Sequence, residues 1–165
     1  MELQNKENQN QFKKIAVACD HRGEDYIKFV KKALDEQGIE TILPDYAKGA
    51  DNDYPDVVKE TNKLLQNGEV DGMILLCGTG VGMMIAANKC KNVRCVLASD
   101  EDVAAFGRIH EDCNALAMGV GYKDEEGREV HLCKRKLQRI VKAFVTTPFA
   151  GGRHLRRVEK LNNIK

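Results

Sequence analysis

Residues 73–82 read Met73-Ile74-Leu75-Leu76-Cys77-Gly78-Thr79-Gly80-Val81-Gly82. An apolar run with no polar alternation suits a strand covered on both faces, as parallel strands between helix layers are. The glycines at alternate positions after it let the backbone turn tightly and leave amide N–H groups open. The helix they open, through Met83 to Lys89, aims its positive end at whatever binds there. The segment is an anion site in outline. Its spacing matches neither G-x-G-x-x-G nor the phosphate loop that closes on Gly-Lys-Ser/Thr.

On the amino-terminal side, Lys14–Cys19 is a short β-branched and small-apolar run that ends at the turn residues Asp20, His21 and Gly23. Tyr26, Ile27, Val30, Ala33 and Leu34 then recur at three- and four-residue steps, predicting a helix over Glu24–Gln37 that Gly38 stops. Ile39–Leu43 reads as a second strand and Pro44–Pro55 as a polar loop. Asp56 is the expected N-cap of a helix reaching Asn67-Gly68. On the carboxyl-terminal side, Val93–Ala98 reads as a strand, Asp100–His110 as a helix and Ala115–Met118 as a fifth strand. Leu132, Cys133, Leu137, Ile140, Val141 and Phe144 predict a helix from about Glu129 to Val145, and a last helix follows Gly151-Gly152. The βαβ alternation predicts an α/β fold: a three-layer α-β-α sandwich on a parallel sheet of about five strands, with right-handed crossovers. Ligands of such sheets bind beyond the carboxyl ends of the strands.

With 165 residues the chain fits a single domain, expected over residues 13–165. Residues 1–12, polar through Gln11, are expected to form a disordered tail. The formal net charge of +1 supplies no global field toward nucleic acid or anionic lipid, so neither is an expected partner. No apolar run approaches the length of a membrane span, and the polar start has no apolar signal core; the expected location is cytoplasmic. Cys19, Cys77, Cys90, Cys95, Cys113 and Cys133 are scattered without a Cys-x-x-Cys pair and read as free thiols. His21, His110, His131 and His154 lie far apart in sequence, so no metal site and no cofactor is expected.

Cys77 is the sharpest single candidate, because a thiol at a strand end beside a helix N-terminus is placed to act as a base or nucleophile. The plain alternative is an inert buried thiol. His21 and His110 flank element ends and fit structural or functional roles equally. Arg153 and Arg157, spaced i, i+4, could together grip a phosphate or form a solvated face.

Four blocks occur in one order: Lys14–His21; Asp53-Tyr54-Pro55; Cys77–Gly82 with Ile85–Lys89; and Gly151–His154 with Arg157-Val158. Together they resemble the ribose-5-phosphate isomerase B family, which includes the galactose-6-phosphate isomerase subunits. The likeness extends from about Lys14 to Lys160. It implies a metal-free aldose–ketose isomerase of Rossmann-like or flavodoxin-like topology, interconverting ribose 5-phosphate and ribulose 5-phosphate in the pentose phosphate pathway, with active sites shared across a homodimer that could pair into a tetramer. By the same resemblance, Cys77 takes the C2 proton to form a cis-enediolate, Thr79 and the loop amides hold the oxyanion, and His110 opens the sugar ring. Asp20 and His21 contact sugar and phosphate, and Arg153 and Arg157 bind phosphate. Tyr54, Gly78, Gly80, Val81, Gly82 and Glu111 complete the implied substrate-binding set. A subgroup with a glutamate base just after the glycine loop has its counterpart here at Met83, so the chain resembles the cysteine-base type.

The chain departs from that pattern at Glu111 (usually asparagine), Leu43 (aspartate), Asp102 (tyrosine) and Gly121 (a phosphate-binding arginine). Lys123 is the expected substitute for the cation missing at Gly121. An isomerase for galactose 6-phosphate or allose 6-phosphate, and a non-catalytic sugar-phosphate binding subunit, are the competing readings. A thiol redox protein lacks the paired motif.

Overall fold

The computed structural model describes residues 11–44 and 53–164. Five strands form one parallel sheet: β1 (Lys14–Cys19), β2 (Glu40–Ile42), β3 (Gly72–Cys77), β4 (Cys95–Leu97) and β5 (Ala115–Gly119). Their order is β2-β1-β3-β5-β4. The flavodoxin-like order holds for β2-β1-β3, while β5 inserts between β3 and β4 and leaves β4 at an edge. Helices α1 (Glu24–Asp35), α2 (Tyr54–Gln66), α3 (Val81–Asn88) and α4 (Glu101–Glu111) supply the crossovers, and α5 (Lys134–Thr146) and α6 (Arg153–Asn162) follow.

The pleat decides which layer each side chain meets. Ile15 and Val17 of β1, Ile74 and Leu76 of β3, and Leu116 and Met118 of β5 face α1, α4 and α5, whose Val30, Leu34, Ala104, Leu137, Ile140 and Phe144 close that core. Met73, Leu75 and Cys77 face the other layer with Ala18, Ala115 and Ala117, against Val57 and Val58 of α2 and Met83 and Ala87 of α3. All six β3 residues are buried, as the unbroken apolar run requires.

α1 and α3, which leave the adjacent strands β1 and β3, lie on opposite faces of the sheet. The chain therefore diverges beyond the carboxyl ends of β1 and β3, opening the crevice in which open α/β sheets bind ligands. Asp20 and Cys77 stand at its two lips.

Four expectations shift. The N-cap of α2 is Asp53 rather than Asp56, and Pro55 sits in the first turn, where its missing N–H costs nothing. The helix expected through Met83 to Lys89 spans Val81–Asn88, so it begins within the glycine segment. The helix expected from Glu129 begins at Lys134; residues Gly121–Lys123 (β6) and Glu129–His131 (β7) instead form an antiparallel hairpin. The expected tail of residues 1–12 lies outside the described residues up to residue 10, but Phe12 belongs to the folded part: it is buried and stacks on Phe144 at 5.4 Å between ring centroids.

Candidate active site

β1 ends in a turn pinned to its neighbour. The Asp20 amide donates to the Leu76 carbonyl at 3.1 Å, the Gly23 amide to the Asp20 carbonyl at 3.0 Å, and the Arg22 amide to the Asp20 carboxylate at 2.9 Å. The turn holds Asp20 half-buried and leaves His21 and Arg22 exposed. Arg22 lies over the glycine loop, because a Cβ built on Gly78 would stand 3.2 Å from Arg22 Cδ.

β3 delivers Cys77 to the first turn of α3. The thiol is 5% exposed, and Cys77 Sγ accepts the Gly80 amide at 3.1 Å. Gly80, the N-cap of α3, has φ 78°, a left-handed conformation that glycine takes without strain. Its space is equally restrictive: a Cβ there would come within 2.6 Å of Leu97 Cδ1 and 2.7 Å of the Gly119 amide nitrogen. Thr79 is exposed, and its hydroxyl oxygen accepts the Val81 amide at 3.3 Å. The first amides of α3 have no carbonyl one turn back within the helix, and that of Val81 is taken by Thr79. Tyr54, the first residue of α2, lays its ring on the loop, 2.9–3.0 Å from where a Gly82 Cβ would be. Asp20, His21, Tyr54 and Cys77–Gly82 are thus brought together.

The remaining residues gather elsewhere. His110 and Glu111 end α4, which runs back from the carboxyl end of β4 to the amino end of β5. The register pairs Met73 with Ala115 and Cys77 with Gly119, so along the strands the α4 terminus and Cys77 are separated by four steps, roughly 13 Å. His110 stacks between Phe106 at 5.5 Å and His154 at 4.6 Å, and the Ala150 amide donates to the Ile109 carbonyl at 3.1 Å. Arg153 and Arg157 flank His154 on α6, exposed and one turn apart. Partial burial holds the His154 imidazole below its ordinary value, with His110, Arg153 and Arg157 adding in the same direction. Within one chain, then, the expected site falls into two groups at opposite ends of the sheet.

A cleft of about 660 Å³ lies between the Asp20 turn, the β6–β7 hairpin and the start of α5, and none of Cys77–Gly82 lines it. His21, Arg22, His131 and Lys134 line it, with Asp25 and Glu129. Lys123 is not among its lining residues and pairs instead with Glu129 at 3.6 Å. Arg22 and His131 escaped the sequence reading. The signal for the hairpin was Asp124-Glu125-Glu126-Gly127, a turn with glycine at the position needing positive φ. Gly127 has φ 78° there, and the Asp124 carboxylate accepts the Glu126 and Arg128 amides. Among the described residues no cluster of three or more histidine, cysteine or acidic side chains could hold a metal ion.

Residues 15–161 match the family model described as Ribose/Galactose Isomerase. The chain is 39% identical over 153 residues to ribose-5-phosphate isomerase B of Escherichia coli, covering 93% of this chain and 97% of that one. It is 30% identical over 154 residues to the galactose-6-phosphate isomerase subunit LacA of Clostridium acetobutylicum, covering 92% and 99%. Among solved structures, a ribose 5-phosphate isomerase from Thermotoga maritima superposes with a TM-score of 0.77 at 36% identity, covering 92% of this chain and 98% of that one. With a glycine-loop crevice at the switch point of the sheet and a match along nearly its whole length, the chain belongs to the ribose/galactose isomerase family.

Proposed function

We propose that the chain interconverts ribose 5-phosphate and ribulose 5-phosphate through a cis-enediolate, with Cys77 as the base. The observation that carries this reading is the thiol's placement: buried, oriented by the Gly80 amide at 3.1 Å, and held at the start of α3. From the aldose, the Cys77 thiolate removes the C2 proton. The C–H electron pair becomes the C1–C2 double bond, and charge collects on O1. Cys77 returns the proton to C1, and the O2 hydroxyl proton passes to O1, leaving the ketone at C2. Thr79 and the loop amides serve as the donors to that oxyanion, where preorganised donors have their largest effect. Tyr54 packs along the sugar, and Asp20 and His21 contact its hydroxyls and phosphate.

His110 serves ring opening, and Arg153 and Arg157 anchor the phosphate, whose binding energy is drawn on at the reacting carbons. One chain holds these residues at the far end of its sheet from Cys77, so a second copy supplies them and the working unit is a homodimer with shared sites. The exposed Val81, Ile85, Val103 and Phe106 support this, since they lie on α3 and α4, the helices packed on the edge strand β4. No helix among the described residues is long and apolar enough to cross a membrane.

The test is turnover of ribose 5-phosphate by the purified protein in EDTA, with Cys77→Ala run beside it. Turnover by the parent and its loss in the variant is the expected result; full activity in the variant would remove Cys77 as the base. A hexose 6-phosphate such as galactose 6-phosphate is the second reading, favoured by the 30% identity to the galactose-6-phosphate isomerase subunit. It wins if kcat/KM for galactose 6-phosphate exceeds that for ribose 5-phosphate. Binding of both sugars without turnover would instead identify a non-catalytic subunit.

A further inference from the structure

The hairpin is stitched to the crevice at two points and closed on itself at a third. The Val120 amide donates to the Cys77 carbonyl at 3.0 Å, the Gly121 amide to the Gly78 carbonyl at 3.1 Å, and the returning Leu132 amide to the Val120 carbonyl at 3.1 Å. Its register sets Gly121 opposite His131. A Cβ on Gly121 would stand 2.8 Å from His131 Nδ1, so the imidazole fills the space that a side chain at 121 would take. On the other side of the ring, Nε2 lies 3.2 Å from the Glu129 carboxylate, which also meets Lys123 at 3.6 Å. His131 thus sets Nδ1 against Gly121, the residue whose amide is tied to the Gly78 carbonyl, while Nε2 is oriented by an acid.

We infer that His131 is a phosphate-binding residue of this chain, acting with His21 and Arg22 in the cleft beside the glycine loop. The inference rests on the sugar-phosphate reading of the site and adds to it a residue from the hairpin. A phosphate monoester offers acceptor oxygens only, and the cleft meets it with two imidazoles, a guanidinium and the Lys134 ammonium, against the carboxylates of Asp25 and Glu129. Glu129 is engaged by Lys123 and His131. Both ring nitrogens of an imidazolium are donors, so a ring that gives Nε2–H to Glu129 has Nδ1–H for an anion oxygen.

The experiment compares the parent, His131→Ala and His131→Arg. The imidazole ring is 60% exposed, so its removal leaves the core intact. His131→Ala is expected to raise KM for ribose 5-phosphate about tenfold with kcat little changed, and to weaken calorimetric binding of inorganic phosphate by a similar factor, as loss of one charge-assisted hydrogen bond does. His131→Arg restores both. Phosphate binding by His131→Ala equal to the parent's would overturn the inference. If the parent binds inorganic phosphate but turns over no sugar phosphate, the enzymatic reading falls, while the phosphate titrations still decide the role of His131.

Discussion

The two ends of the sheet are built from different materials. At the carboxyl end, backbone does the positioning: Gly80 and Gly119 lie so close to neighbouring main chain that a Cβ on Gly119 would meet the Thr79 carbonyl oxygen at 2.5 Å. The Cys77 sulfur is held by a main-chain amide. At the amino end, side chains do it: His110 is held between the rings of Phe106 and His154, and Arg153 and Arg157 extend from the exposed face of α6. Proton transfer tolerates little misplacement, whereas a phosphate is gripped well by long side chains that settle around it. On the proposed reading the reacting carbons belong at the backbone-built end, and the arginines that reach across to the phosphate come from the side-chain-built end of a second copy.

The largest effect that would break this division is at the thiol. Cys77→Ala is expected to lower kcat about 10³-fold with KM nearly unchanged, the scale of a lost general base; a fall below tenfold in steady-state kinetics would move the chemistry away from the carboxyl end. Next comes Gly80→Ala. It forces a side chain into a left-handed conformation and against Leu97 and Gly119, and is expected to cost about 1–3 kcal/mol of stability and about 10²-fold in activity. Denaturant unfolding and turnover measured on one preparation check it. Unchanged turnover would mean that the loop's shape is not what positions the thiol.

The contrast also explains what the sequence disclosed. β3 and the glycine loop are legible because a doubly covered strand and a tight turn each demand a narrow set of residues over consecutive positions, and Gly72–Cys77 with Gly80 supply them. The parallel sheet follows from the same alternation. The hairpin was missed because Leu132 and Cys133 happen to continue the helical spacing of α5 backward, although Cys133 is its N-cap. Phe12 was missed because a single aromatic beside a polar stretch has no periodicity; only the tertiary fold, which stacks it on Phe144 and under the Arg108 guanidinium at 4.8 Å, makes it core. The separation of His110 from Cys77 is written in no local pattern. It follows from the direction of α4, which must run back to the amino end of β5 because β4 and β5 are parallel.

That separation can be sharpened by complementation. Cys77→Ala and His110→Ala are each expected to be nearly inactive. Co-expressed in equal amounts, they form mixed dimers in which one site carries both defects and the other carries neither. Random pairing under two-fold symmetry then restores about a quarter of the parent's specific activity. No recovery in a preparation shown to contain mixed dimers would mean that His110 and Cys77 serve one site within one chain, contrary to the distance along the sheet.

The smallest effect lies in the histidine pair. The folded protein holds His154 below the 6.5 of a free imidazole, through partial burial first and then through His110, Arg153 and Arg157. Folding therefore favours the neutral ring: this contribution is intact above the unfolded value and is lost as the pH falls through it to the lowered folded value, where the unfolded chain binds the extra proton. His154→Gln is expected to flatten the decline of melting temperature between about pH 8 and about pH 5. Parallel curves for parent and variant would show that the amino-end cluster does not disfavour the charged ring. A phosphate seated between Arg153 and Arg157 would offset two of the charges that depress His154, so inorganic phosphate should flatten the parent's curve toward that of the variant. A parent curve unmoved by phosphate would place the anchoring site away from this pair of arginines and leave the cleft of His21, Arg22 and His131 to hold the anion alone.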